Sequence, residues 1–120
     1  MSAAHGLLLS DDLIFSSRIA GAARAQGLAL VVARTPGEAV DLARRSAPRC
    51  VIVDLDNPGL DLDLFMGELR GLSSAPRVVA YGPHVNAPLL HAARDAGCDP
   101  VLPRSTFVER LESDMVGWFS

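Results

Sequence analysis

Residues 51–61 read VIVDLDNPGLD, an aliphatic run that breaks into a polar turn. Its opening is an unbroken aliphatic run, the pattern of a strand covered on both faces; a strand with one wet face would alternate. The run stops at Asp54-Leu55-Asp56-Asn57-Pro58-Gly59, a string of turn-forming residues. Working outward, four further short apolar runs have the same character. The predicted strands are Gly6 to Leu9, Ala29 to Ala33, Cys50 to Val53, Arg77 to Ala80 and Val101 to Leu102, all read as continuously apolar.

Between them lie longer stretches with helical spacing. A first helix over about Ile14 to Gln26 stops near Gly27. Thr35-Pro36-Gly37-Glu38 is a capping box with Pro at the first helical position, and its helix runs to Ala47, where Pro48 ends it. Leu62, Phe65, Leu69 and Leu72 mark a third helix, and Ala87 to Ala96 a fourth. A second capping box, Thr106 to Glu109, predicts the start of a fifth, with a stripe of Phe107, Leu111, Met115 and Trp118. Trp118 and Phe119 are expected to complete core contacts. Five βα units with right-handed crossovers predict an α/β fold: an open parallel sheet with helices on both faces and its working site outside the carboxyl ends of the strands.

Composition removes several classes of function. The chain has 120 residues, long enough to bury a core without disulfides or a structural metal, and it reads as one domain, 1–120. All 11 basic residues are Arg, so lysine-amine chemistry is excluded. A net charge of −3 with scattered arginines gives no footprint for direct nucleic-acid binding. No apolar run approaches a membrane span and no secretory signal opens the chain, so a cytoplasmic protein is expected. Cys50 and Cys98 form no CxxC pair and read as reduced, buried small hydrophobes. No GxSxG elbow and no Gly-rich phosphate loop is present, which argues against a hydrolase and against an anionic cofactor. His84 and His91, with Asp95, read as exposed helix residues rather than as a metal site.

What remains is an acidic crevice. The first strand ends at Ser10-Asp11-Asp12 and the third at Asp54-Leu55-Asp56, and if these strands are neighbours Asp11 and Asp54 approach each other. Paired carboxylates repel unless a cation intervenes, and Mg²⁺ suits one or two carboxylates plus waters. The plainer alternative is a polar strand end that simply meets solvent.

These fragments together resemble the receiver domain of two-component response regulators. The matching stretches are LLLSDD after the start, VIVDLDNPGLD, PRVVAYG on the fourth strand and AGCDPVLPRSTF near the end. The resemblance implies a flavodoxin-like (βα)5 fold, doubly wound, with strand order 2-1-3-4-5 in three α/β/α layers. It implies phosphorylation of Asp54 by a histidine kinase, with Mg²⁺ on Asp11, Asp54 and Asp56, and a face made by the fourth helix, fifth strand and fifth helix for homodimers or targets. Leu89, His91, Arg104 and Leu111 are candidates on that face.

The departures carry as much information. Ser10 stands where the family has its first acid, Tyr81 where a Thr or Ser hydroxyl meets the phosphoryl group, Val101 at the aromatic switch position, and Arg104 at the Lys, followed by Ser105 instead of Pro. A forked, always charged guanidinium can pair bidentately with a carboxylate that bears no phosphate. Hence the expectation is an atypical receiver that needs no cofactor and acts through protein contacts, the alternative being a working phosphoreceiver with a weakened Mg²⁺ site. No output domain is visible within the chain, so a transcriptional activity in cis is not expected.

Overall fold

The computed structural model describes residues 5–120; the opening residues read above as lacking a secretory signal lie outside them. The elements alternate without exception: β1 (His5–Leu9), α1 (Leu13–Ala25), β2 (Ala29–Ala33), α2 (Pro36–Ser46), β3 (Cys50–Asp54), α3 (Leu62–Arg70), β4 (Arg77–Gly82), α4 (Ala87–Asp95), β5 (Val101–Pro103) and α5 (Arg104–Trp118). All strands are parallel, in the order β2-β1-β3-β4-β5. The α/β fold and strand order follow the expectation.

Strand alternation divides the core into two layers, because successive side chains leave a strand on opposite faces. Leu7, Leu9, Val51, Val53, Val78 and Ala80 pack with Val40 and Ala43 of α2, Phe65, Met66 and Leu69 of α3, and Leu90 and Ala93 of α4. Leu8, Ile52, Val79, Tyr81 and Leu102 face the other way, onto Ile19 and Ala23 of α1 and Phe107, Leu111, Met115 and Trp118 of α5. The second layer is held by stacked rings. Phe107 lies 4.6 Å from Tyr81 and 5.5 Å from Trp118, centroid to centroid, and Phe15 sits 5.1 Å from Tyr81. Phe119 closes the far end and is buried with Trp118. A Cβ on Gly6 would stand 2.5 Å from the Phe119 ring, so β1 needs glycine there for the carboxyl terminus to pack on it.

Several details differ from the sequence reading. β2 is an edge strand, with Ala29 and Val31 exposed, so it is not covered on both faces. α5 opens at Arg104, and no side chain caps it: Thr106 and Glu109 already lie inside the helix. Leu111 belongs to the buried layer and offers nothing to a partner. The α2 box holds in a displaced form. Thr35 accepts from the Glu38 amide at 3.2 Å, while the Glu38 carboxylate reaches back to the amide of Arg34 at 2.9 Å. Ala47 takes a left-handed cap, φ 47°, ending the helix one residue early.

Both cysteines are buried, Cys50 under α1 and α5 and Cys98 against Met66. Burial pushes the Cys50 thiol up to about 12, against the pull of Arg77, and the Cys98 thiol up to about 11, against Arg70. Only thiolates react readily, so native protein is expected to resist iodoacetamide at neutral pH and to be labelled twice once unfolded in urea. Intact mass after timed labelling checks this; rapid native labelling of either thiol contradicts it.

Candidate functional site

The same alternation that divides the core builds the site. Asp54 follows Ile52 by two residues, Tyr81 follows Val79 and Ser10 follows Leu8, so all three leave neighbouring strands toward the α1/α5 layer, at the carboxyl edge of the sheet. Asp54 and Tyr81 are register partners, and Leu9 pairs with Val53, which sets Ser10 beside Asp54. The crevice lies where strand order reverses between β1 and β3, the place such sheets reserve for ligands.

Asp54 is 2% exposed. One carboxylate oxygen, Oδ2, accepts from the Ser10 hydroxyl at 3.1 Å, and the other, Oδ1, accepts from the Asp56 amide at 3.0 Å. Burial raises its pKa above the usual 3.8; the Asp56 amide, Ser10 and Arg104 oppose the rise, and the Asp56 carboxylate adds to it. Ser10, fully buried, also accepts from the amide of Asp12 at 3.2 Å and so fixes the turn into α1. Asp12 is the N-cap of that helix, accepting from the Phe15 amide at 2.9 Å. Its free oxygen turns to Arg104.

Arg104 leaves the first residue of α5 and lays its guanidinium across the crevice. Nη2 stands 3.9 Å from Asp54 Oδ2 and Nη1 4.0 Å from Asp12 Oδ2. The fork therefore spans two carboxylates instead of gripping Asp54 with both nitrogens, as the sequence reading expected. Its plane is backed by rings, with the guanidinium carbon 4.8 Å from the Phe15 centroid and 5.9 Å from that of Tyr81. Tyr81 is fully buried and, among the described residues, its hydroxyl has no hydrogen-bond partner. Burial raises its pKa, and the charge of Asp54 raises it further.

The other expected residues are placed as follows. Asp11 is exposed and Asp12, not Asp11, joins Asp54 through Arg104. Asp56 is exposed at the rim and contributes its backbone amide. Val101 is buried in the α2/α3/α4 layer, Leu89 packs partly against it, and His91 is exposed, 3.5 Å from Asp95. His84 precedes α4 and lines a groove of about 670 Å³ with Phe15, Arg18, Arg104 and Val108. The capping role of Asp12 was missed in the sequence, although an Asp immediately before an apolar-periodic run is a start signal for a helix.

The Mg²⁺ that the resemblance implies does not fit this donor set. No group of three acidic, histidine or cysteine side chains able to hold a metal occurs among the described residues. The position beside Asp54 that an acid would fill carries the Ser10 hydroxyl, and a guanidinium already faces the same oxygen.

By sequence, no family model and no curated protein matches the chain. By structure, it is similar to a chain of Chloroflexus aurantiacus J-10-fl described as a response regulator, with a TM-score of 0.85, 17% identity and 98% of each chain covered. The receiver domain of the sensor histidine kinase PA1611 of Pseudomonas aeruginosa PAO1, solved with magnesium in its active-site cleft, matches at a TM-score of 0.84 and 18% identity over 98% of both chains. The beryllofluoride-activated NtrC4 receiver domain, a dimer, matches at 0.84 and 19% identity, covering 98% of this chain and 97% of that one. The topology, the register that sets Asp54 beside Tyr81, and these neighbours together give the chain the fold of the response regulator receiver domains of two-component signalling.

Proposed function

We propose that the chain is a receiver-type signalling module that works through protein contacts without phosphorylation of Asp54, and that it is not an enzyme. The observation that carries this reading is the closed state of the acceptor: Asp54 is 2% exposed, tied to Ser10, and covered by Arg104, which is itself tied to Asp12. Phosphoryl transfer depends almost wholly on positioning and on charge stabilisation at the acceptor. Here a hydroxyl replaces one acid, and the small hydroxyl expected at the end of β4 is a phenol committed to the ring stack.

Partners in this reading are a histidine kinase or a regulatory target in the cytoplasm. The face of α4, β5 and α5, where His91 is exposed and Leu89 half-buried, is the candidate surface for a target or a second copy. No helix among the described residues is long and apolar enough to cross a membrane.

The test is intact mass and ¹H–¹⁵N NMR of wild type and Asp54→Ala with Mg²⁺ and acetyl phosphate or phosphoramidate. The expected result is no phosphoryl adduct and unchanged amide positions in both. An adduct on wild type that disappears in Asp54→Ala overturns the reading in favour of a working phosphoreceiver.

A further inference from the structure

We propose that the guanidinium of Arg104 is the resident cation of this site and takes the place of a divalent metal. The inference deepens the functional reading and rests on it. Two carboxylates, Asp54 and Asp12, stand within 4.0 Å of the guanidinium, with one neutral hydroxyl, Ser10, on Asp54 and the exposed Asp56 carboxylate at the rim. A single positive charge balances the buried carboxylate and leaves Asp12, 39% exposed in its side chain, to share the fork and the solvent. An acid at position 10 would add a further buried negative charge directly beside Asp54 and favour a dication; the Ser10 hydroxyl adds none.

Geometry holds the cation in place. Arg104 is flanked by Asp54 from β3 at 3.9 Å, by Asp12 from the turn into α1 at 4.0 Å, and by the faces of Phe15 from α1 and Tyr81 from β4. Guanidinium is the cation suited to this setting, being planar, weakly hydrated and permanently charged. A Mg²⁺ ion demands an octahedron of oxygens and keeps several of its waters. Placed on Asp54 Oδ2, it would meet a guanidinium nitrogen that already stands 3.9 Å from that oxygen, and the like charges would repel. Metal binding at Asp54 Oδ2 therefore requires Arg104 to draw back from that oxygen.

The probe is Mn²⁺, which broadens nearby amide signals, with Mg²⁺ as competitor, on the ¹⁵N-labelled full chain. In wild type the amides of residues 10–12 and 54–57 are expected to keep their intensity at millimolar metal. In Ser10→Asp with Arg104→Lys the same amides are expected to broaden selectively and to recover on addition of Mg²⁺. Arg104→Gln alone, which removes the charge and leaves the strand ends intact, is expected to broaden them at higher Mn²⁺ and serves if the double variant does not fold. Selective, Mg²⁺-reversible broadening in wild type overturns the proposal, as does its absence in both variants when their spectra are dispersed. The two readings fail separately. A chain that takes phosphate on Asp54 but shows no metal broadening loses the functional reading and keeps the resident cation; one that binds Mn²⁺ but takes no phosphate does the reverse.

Discussion

Phe107→Ala is expected to lower the unfolding free energy by about 3–5 kcal/mol, the range for truncating a large buried ring. Phe107 is fully buried and stands in the middle of the ring column, between Tyr81 at 4.6 Å and Trp118 at 5.5 Å, with Phe15 at 6.3 Å. Truncation loses the burial and also the two close stacking partners, each worth about 0.5–1.5 kcal/mol beyond area. The cavity cannot refill cheaply, because the strands behind it are held in register and the helices on either side each contribute other core residues. A urea midpoint followed by far-UV circular dichroism measures the loss; a shift equivalent to less than about 1 kcal/mol contradicts the assignment of the column as the main tie between α5 and the sheet. Tyr81 and Phe15 would also lose their support, so the loss is expected to reach the backing of Arg104.

Arg104 and Asp54 form an ion pair, yet removing the two partners is expected to have opposite effects. Arg104→Ala leaves the Asp54 carboxylate buried with only Ser10 and the Asp56 amide to hold it. Stripping one partner from a fully buried pair costs about 3–5 kcal/mol. Arg104 is 40% exposed, so solvent already screens part of the interaction, and the expected loss is about 2–3 kcal/mol, including the packing of its stem on Phe15. Asp54→Asn, in contrast, removes the buried charge, while Arg104 rehydrates and keeps Asp12. Its expected effect lies between no change and a gain of about 1 kcal/mol.

The pH dependence separates this from a simple loss of contacts. Burial lifts the native Asp54 pKa above its usual 3.8, so the native state holds this proton to higher pH than the unfolded chain does. Its contribution to stability is then fully present below the unfolded value and is lost as pH rises through the native one. Asn has no such dependence. The advantage of Asp54→Asn over wild type is therefore expected to be greatest near neutrality and to close as the pH falls toward 3.8. Chemical denaturation of both proteins across that range tests it, and an advantage that grows in acid would contradict it.

The fold was legible because each strand is a short aliphatic run and each of the first four helices is bounded by local chemistry. Thr35 with Glu38, Gly27, and Pro88 near the start of α4 act within a few residues of themselves. The exposure of β2 was not legible, because a five-residue run such as Ala29 to Ala33 reads the same at an edge as at the centre; only pairing decides. The start of α5 was misplaced for a related reason. Thr106 and Glu109 have the spacing of a capping box, but β5 ends at Pro103 and the chain turns directly into the helix, leaving Thr106 inside it. In the site, Asp54 was legible as the end of the third aliphatic run, and Ser10 and Tyr81 were marked by the resemblance to the receiver pattern; strand parity explains why the three meet. The choice of Asp12 over Asp11, and the division of Arg104 between two carboxylates, depend on how the turn after β1 is hydrogen-bonded by Ser10, a contact between residues 44 apart in one direction and two apart in the other.

The ring column also has an optical consequence. The chain contains one Tyr and one Trp, and both stand on Phe107, Tyr81 at the end beside Asp54 and Trp118 at the end beside the carboxyl terminus. Near-ultraviolet dichroism arises from rings held in a fixed asymmetric setting, so both transitions of this protein report on a single structural element. Tyr81 and Trp118 are separated by one intervening ring, so Trp118 emission excited through Tyr81 is expected to report on the packing of the column. Because Arg104 lies over Phe15 and Tyr81, its displacement is expected to alter the near-ultraviolet dichroism of Tyr81, with no label introduced.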